Sequence, residues 1–290
     1  MVCRLNIIPI NRIPQKQIIK HIILKKTLFL GLLFISSYNL IAQFEDLTFG
    51  TDSTFEVVTW NMEWFPKNGQ ATIGYISQII EALDVDVIAV QEIDNQLSFE
   101  QLVENIDGWD GYWYESEYLA LGYIYKNNFF DDVEIYQILT GSYRELPRSP
   151  LVLELSYNND HYVIINNHLK CCGDGYLDYN DEWDEEKRRF DACVLQDQYI
   201  IDNFPDSKVI MLGDLNDLIQ ESSSNNVFQI FIDNPESYKF VDMDIAMGNS
   251  NNWSYPSWPS HLDHILITNE LYDDFSDEVS VIETIRVDEY

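Results

Sequence analysis

The sequence predicts an α/β or α+β sandwich with its helices on the outside. From Phe55 onward, short apolar runs rich in Val, Ile, Tyr and Phe recur with polar punctuation, which is the signature of strands. Segments with apolar residues at helical spacing lie between some of them. A hydrophobic content of 46% with 14% aromatic residues, spread over 290 residues, suffices for one large domain with its own core.

The elements follow in order. FEVVTW opens the strand series, and IGYISQIIEAL then sets Ile76, Ile79, Ile80 and Leu83 on one helical face. VDVIAVQE, LGYIYK, VEIYQIL, LVLELSY and YVIINNHL read as the next strands. The segment 184–203 begins with Asp184, Glu185 and Glu186, acids that suit a helix N-terminus, and carries Phe190, Val194 and Ile201 on one side. KVIMLGDL and LDHILIT close the series. No repeat or linker interrupts the chain after Asp52, so a single domain is expected over 53–290, preceded by a short segment 43–52. Two loops stand out: CCGDGYLDYNDEWD (171–184), acidic and aromatic, and GNSNNWSYPSWPS (248–260), polar with three large rings.

The first 42 residues differ in kind. They hold six basic residues (Arg4, Arg12, Lys16, Lys20, Lys25, Lys26) and no acid, followed by the apolar LFLGLLFISSYNLIA. A basic start, a short apolar stretch and a small residue before the polar turn predict a secretory signal peptide cleaved after Ala42. Ser36, Ser37, Tyr38 and Asn39 interrupt a run already short for an uncleaved anchor. The expected location is therefore outside the cytoplasm, secreted or periplasmic.

The formal net charge is −32, and after cleavage eleven basic residues would face 49 acidic ones, a net −38. Such a surface repels polyanions at long range and argues against nucleic-acid binding through a broad basic face. A metal focused at one site could still attract a phosphate. Three cysteines follow residue 42. An exported chain favours one disulfide from Cys171 or Cys172 to Cys193, with a Cys171–Cys172 bridge as the alternative. No Cys/His spacing suits structural zinc. The acidic loop 171–184 fits no EF-hand pattern and is expected to be a solvated, disulfide-tethered loop, with Ca²⁺ as a further candidate ligand.

Polar residues collect at the ends of the apolar runs. Asn61 and Glu63 follow EVVTW, Glu92 ends VIAVQ and His168 ends VIINN. Asp214 and Asn216 follow VIMLG, while Asp263 and His264 open the last strand. Each alone has an ordinary explanation: an asparagine after a strand forms turns, and Asp214 with Asn216 could be an Asx turn. Five strand ends that each deliver a carboxylate, amide or imidazole imply one site at a sheet edge, where a rigid element lets a polar group leave the core.

TWNMEW, VQEI, NNHLK, GDLND and SHLDHIL, in that order from about Phe55 to Thr268, resemble the endonuclease/exonuclease/phosphatase superfamily, and its deoxyribonuclease-like branch in particular. The resemblance implies a four-layer sandwich of two mixed β-sheets flanked by helices. It implies Glu92 as the principal Mg²⁺ or Mn²⁺ ligand, with Asp263 near the metal and Asn61 holding the metal shell and the phosphate. Asp214 and Asn216 would orient water and bind phosphate, and His168 would stabilise or protonate the departing oxygen. His264 would polarise water, oriented by Asp242 or, less well placed, Asp244. Arg148 stands where relatives carry a phosphate-contacting arginine, Lys170 projects near His168, and His261 is a candidate phosphate contact. Glu63 is not required by the pattern. Trp253, Tyr255 and Trp258 could stack on bases or simply pack on the domain.

The function so implied is a monomeric, secreted, divalent-metal-dependent endonuclease acting on nucleic acid by in-line water attack, with His264 as general base. It needs neither a serine or cysteine nucleophile nor a phosphate-cradling glycine loop. A phosphodiesterase or phosphatase for lipid head groups or small phosphoesters is the alternative, and a catalytically dead binding module is a third.

Overall fold

The computed structural model describes residues 1–5, 44, 47–114, 119–255 and 258–289. The predicted leader therefore lies, from residue 6 to residue 42, outside the described residues. The elements are β1 (Val2–Leu5), β2 (Phe55–Phe65), α1 (Gln70–Leu83), β3 (Val87–Ile93), α2 (Gln96–Glu104), β4 (Trp109–Trp113), β5 (Ala120–Lys126), β6 (Asp131–Gln137), β7 (Leu151–Tyr157) and β8 (Asp160–His168). After these come α3 (Glu185–Asn203), β9 (Lys208–Asp214), α4 (Gln229–Ile232), β10 (Tyr238–Phe240), α5 (Met243–Ala246), β11 (Asp263–Thr268), α6 (Tyr272–Ser276) and β12 (Val281–Glu283).

Two mixed sheets form, ordered β12-β1-β2-β3-β5-β4 and β10-β11-β9-β8-β7-β6. Alternation along the strands sorts the apolar side chains into three cores. Phe55 and Val57, Val87 and Ala89, Tyr162 and Ile164, Ile210 and Leu212, and Ile265 and Ile267 fill the space between the sheets. Val58, Ile88 and Val90 face outward against Ile73, Ile76 and Ile80 of α1 and Phe99 and Leu102 of α2. Val163, Ile165, Val209 and Met211 face outward on the other sheet against Ala192, Cys193 and Ile200 of α3. This is the four-layer arrangement expected. Phe44, Leu47 and Phe49 also bury in the outer core beside α1, so the segment before β2 packs as part of the same body. No helix among the described residues is long and apolar enough to cross a membrane.

The expectations for the helical segment 184–203 and for the cysteines need correction. The buried face of α3 comprises Glu186, Arg189, Ala192, Cys193, Gln196 and Ile200, whereas Val194 is 38% and Ile201 51% exposed. Buried polar partners, invisible to an apolar pattern, set the orientation of this helix. The disulfide to Cys193 is absent: Cys193 is wholly buried as a free thiol, and burial pushes its pKa up. Cys171 and Cys172 are free as well, with their Sγ atoms 2.9 Å apart. The tether of loop 171–184 is instead polar. Strand β4 carries no apolar alternation in WDGYW; its Gly111 lets α2 lie close, since a Cβ there would fall 2.4 Å from Val103 Cγ2.

Candidate active site

Strand alternation carries the site. One or two steps beyond the last apolar residues of the inter-sheet core, the same faces present Asn61, His168, Asp214 and Asp263. Pairing brings three of them level: His168 lies opposite Asp214 in the parallel β8–β9 ladder, and Asp263 opposite Asp214 in the antiparallel β9–β11 ladder. Gly213 permits this close register. Its φ is +142°, and a Cβ there would sit 2.0 Å from Asn167 O.

A regular β3 would point Gln91 inward and Glu92 outward. Register shifts between Asn61 and Phe65 and between Val90 and Ile93 break the ladders here. Glu63, Trp64 and Glu92 all adopt positive φ (44°, 57° and 63°). This paired bulge costs about 1–3 kcal/mol per strained residue and re-aims Glu92 into the cleft. Glu92 Oε1 there accepts from Asn61 Nδ2 at 3.0 Å and Oε2 from Trp64 N at 3.1 Å. Beneath it, Gln91 Nε2 donates to Asn166 Oδ1 (2.8 Å), and Asn166 Nδ2 donates to the carbonyls of Val90 and Gly122 (3.0 Å each), stapling the two sheets under the site.

Asn61 bridges the carboxylates, since its Nδ2 also donates to Asp214 Oδ2 at 2.8 Å. Asp214 Oδ1 accepts from Asn216 N at 3.2 Å, and Asn216 Nδ2 reaches Leu169 O at 3.3 Å. His168, 5% exposed, places Nε2 3.7 Å from Asp214 Oδ2 and 3.9 Å from Glu92 Oε1. Burial, aided by the nearby Arg148 charge, lowers its pKa to about 3, so the imidazole is neutral. Burial and the charges of Asp263 and Glu92 raise the Asp214 pKa to about 7. Asp263 Oδ1 is buried without a hydrogen-bond partner. Three carboxylates thus share one pocket, and Glu92, His168 and Asp214 offer atoms within 4.8 Å of one another. Oxygen-rich, anionic and short of internal cations, this set fits a hard divalent ion.

A second, buried cluster lies behind. Asp242 Oδ2 meets His264 Nδ1 at 2.6 Å and His261 Nε2 at 3.1 Å, and Oδ1 accepts from Ile265 N at 3.1 Å. Asp242, not Asp244, is the partner of His264. Burial would raise the Asp242 pKa, but the His264 charge and the imidazole hydrogen bonds hold it well below the usual carboxylate range. His264 sits on the outer face of its sheet, wholly buried, its ring edge-on to Phe228 and Phe240. Its Nε2 lies 2.9 Å from Asp217 O. With acceptors at both nitrogens, His264 is best satisfied as an imidazolium. Burial opposes that charge, but Asp242 outweighs it and raises the pKa.

A model of the Endonuclease/Exonuclease/phosphatase family matches residues 58–283. The chain belongs to the endonuclease/exonuclease/phosphatase family. It is accordingly a metal-dependent hydrolase of phosphoester bonds. Among solved structures of similar fold, the human Nocturnin catalytic domain with bound sulfate anion is 16% identical, with 73% of this chain and 81% of that one covered and a TM-score of 0.54. D. rerio TDP2 complexed with single strand DNA product is 15% identical, covers 73% and 82% of the two chains, and also gives 0.54. No curated protein sequence matches the chain.

Within this endonuclease/exonuclease/phosphatase fold, several predicted roles change. His261 cannot contact phosphate: it is wholly buried, its Nδ1 accepts from Ser254 N (3.2 Å) and its Nε2 serves Asp242. His264 offers no free nitrogen to water. Arg148 donates to His168 O and Leu169 O, both at 3.1 Å, and so braces the chain leaving β8. Lys170 turns to Cys171 O (2.7 Å) and lies 3.7 Å from Glu185. Glu63 is exposed and paired with Lys67. Trp253 is anchored by Nε1 to Ile245 O (3.2 Å), whereas Trp258 is 75% and Tyr255 46% exposed. Their loop is tied to the site because Ser254 Oγ accepts from Leu262 N and Asp263 N.

Four residues absent from the sequence prediction hold the site: Gln91 and Asn166 as the staple, Trp64 as an exposed ring next to Glu92, and Arg189. The Arg189 side chain is 2% exposed; Nε pairs with Asp217 Oδ2 (2.8 Å) and Nη1 donates to the carbonyls of Lys170 and Cys172 (2.7 and 2.8 Å). A polar residue on an inward strand position was the available signal for Gln91 and Asn166. Arg189 left none.

Proposed function

We propose that this family member is an exported, monomeric endonuclease that uses Mg²⁺ or Mn²⁺ to hydrolyse phosphodiester bonds of nucleic acid by in-line attack of water. The observation that carries the reading is the geometry of the buried His168 imidazole, whose Nε2 lies 3.9 Å from Glu92 Oε1 and 3.7 Å from Asp214 Oδ2 at the ends of their strands. The exposed Trp64, Tyr255 and Trp258 rings suit stacking on bases, and a protein of similar fold holds a single strand DNA product.

Glu92 and Asp263 would hold the cation with Asn61 beside them, and the ion when bound neutralises charge on the phosphoryl oxygens. Asp214, fixed by Asn61 and the Asn216 N–H, takes a proton from the attacking water. His168 as a neutral ring donates an N–H hydrogen bond toward the departing oxygen, and Asn216 faces the transferring group. His264 acts from behind: its charge, set by Asp242, holds Asp217 O and so fixes the turn from Asp214 to Asp217. It is a positioning residue in this reading.

One observation favours a small phosphoester or lipid head group instead. Arg148 and Lys170 spend their hydrogen bonds on backbone carbonyls, and a chain of net charge −32 offers a polyanion little else. Plasmid DNA, RNA, sphingomyelin and a chromogenic phosphodiester, each with Mg²⁺, Mn²⁺ or EDTA, separate the readings. Plasmid nicking abolished by EDTA is expected; lipid or monoester turnover without nicking overturns the nuclease.

Export with cleavage after Ala42 belongs to the same proposal. Cleavage removes β1 from between β2 and β12. In that docking the Met1 ammonium is buried against Thr59 O (2.7 Å), and burial lowers its pKa, which opposes the docked state. Protein recovered from the periplasm or medium is expected to begin at Gln43. Recovery with Met1 intact and only inside the cell overturns export.

A further inference from the structure

We propose that Asp174, Asp184 and Glu186 form a second divalent-cation site, suited to Ca²⁺, which braces the rim of the candidate active site. One oxygen from each of the three carboxylates lies within 4.8 Å of the others. The independent observation concerns Glu186. Its side chain is 3% exposed, yet Oε2 is buried without a hydrogen-bond partner. Oε1, by contrast, accepts from Gly175 N at 2.8 Å and lies 3.2 Å from Arg189 Nη2. A buried carboxylate oxygen left bare costs about 1–3 kcal/mol or more, and Arg189 does not relieve it: its Nη2 lies against Oε1, while Nε and Nη1 serve Asp217 and two carbonyls.

The loop is built over this oxygen pair. Gly173 has φ +112°, and a Cβ there would fall 2.2 and 2.4 Å from the two Glu186 oxygens, so only glycine lets the chain cross so closely. Asp184 caps α3, taking the Lys187 N–H on Oδ1 at 2.7 Å, and Asp174 Oδ1 takes the Tyr176 N–H at 3.0 Å. Asp184 Oδ1 also takes the Asp178 N–H at 3.4 Å, and among the described residues no hydrogen bond falls on Oδ2 of either aspartate. Neither aspartate enters an ion pair among the described residues. Hard oxygens at irregular positions on a loop and a helix start suit Ca²⁺, which accepts six to eight oxygens in flexible geometry, better than octahedral Mg²⁺.

The consequence runs through Arg189, less than one turn beyond Glu186. Arg189 ties Lys170 O and Cys172 O, which follow His168, and Asp217, whose carbonyl meets His264. A cation that fixes Glu186 therefore fixes the scaffold of both catalytic strand ends. This inference does not depend on the substrate.

The test is calorimetric titration of the metal-stripped full chain with Ca²⁺, in a Glu92→Gln background that removes binding at the first centre. One Ca²⁺ per chain and a Ca²⁺-dependent rise in melting temperature are expected. Asp174→Asn, at an exposed position that leaves the core intact, should weaken binding at least tenfold and remove the melting shift; Glu186→Gln should abolish both. Absence of Ca²⁺ binding at millimolar concentration in the folded Glu92→Gln protein overturns the site. So does an affinity unchanged by Asp174→Asn.

Discussion

Asp214→Asn is expected to lower kcat for phosphoester hydrolysis by about 10²–10⁴-fold, the usual worth of a positioned proton acceptor, while making the metal-free protein more stable. The two effects have one cause. Burial first, and then the nearby charges of Asp263 and Glu92, raise the Asp214 carboxyl pKa from 3.8 to about 7. For an acid, a folded pKa above the unfolded one means that stability is lost as pH rises between the two values. Three units correspond to roughly 4 kcal/mol lost by pH 8 without metal. An asparagine carries no charge to be repelled, but its amide meets Asn61 Nδ2 poorly, so a net gain on the order of 2 kcal/mol is expected. Single-turnover kinetics with Mg²⁺ and thermal melts in EDTA at pH 5 and pH 8 check both halves. Undiminished turnover removes Asp214 from the chemistry, and a variant no more stable than wild type at pH 8 in EDTA rules out the crowding.

Asp242→Asn should act in the opposite direction on stability, costing about 3–5 kcal/mol, the range for breaking a buried ion pair from one side. His264 would be left as a buried imidazole with an amide at Nδ1 and a carbonyl at Nε2, and His261 would lose its acceptor. The pH dependence identifies the pair. In the wild type the His264 pKa is raised above 6.5, so its contribution is complete below about pH 6.5 and fades as pH rises through the folded value. Seen from Asp242, whose pKa is depressed below 3.8, the same interaction is present above that value and lost in stronger acid. It is one ion pair viewed from two ends and is counted once. Urea midpoints from pH 5 to pH 9, measured in an Asp214→Asn background that removes the alkaline loss due to that carboxyl, should fall on the alkaline side with Asp242 present and flatten for Asp242→Asn. Parallel curves for the two proteins exclude a charged His264.

Strands were the most legible part of the fold. LVLELSY fills β7 end to end, and FEVVTW, VDVIAVQE and KVIMLGDL each seed a strand, because β-branched and aromatic runs between polar turns have few other uses. The α1 face was equally plain, since its buried isoleucines fall at regular helical intervals. The α3 face was not: its inward side is held by Glu186, Arg189 and Gln196 as much as by Cys193 and Ile200, and hydrophobic periodicity is blind to a buried ion pair. The cysteine pairing was misjudged for a related reason. Compartment predicts whether thiols oxidise, while helix orientation decides whether they meet, and Cys193 faces the sheet.

For the candidate site, sequence order supplied the residue types at the strand ends, and the matching family pattern gave them a shared chemistry. Asn61, Glu92, His168, Asp214 and Asp263 were all named from their places at the ends of apolar runs, and they converge. What a linear pattern could not supply was which side of a sheet each neighbour takes. Asp263 and His264 are adjacent, yet strand alternation sends one into the inter-sheet cleft and the other behind it, where Asp242, His261 and Asp217 enclose it. Glu92 reaches the cleft only because positive φ angles at Glu63, Trp64 and Glu92 undo the alternation there.

The amino-acid sequence by itself therefore determined the strand series, the order of the polar termini and the excess of negative charge, because each is a property of composition or local period. Tertiary structure alone decided facing and protonation. A histidine becomes neutral at 168 and favours the cation at 264 because burial disfavours charge at both, and only the second has a carboxylate within 2.6 Å to reverse it.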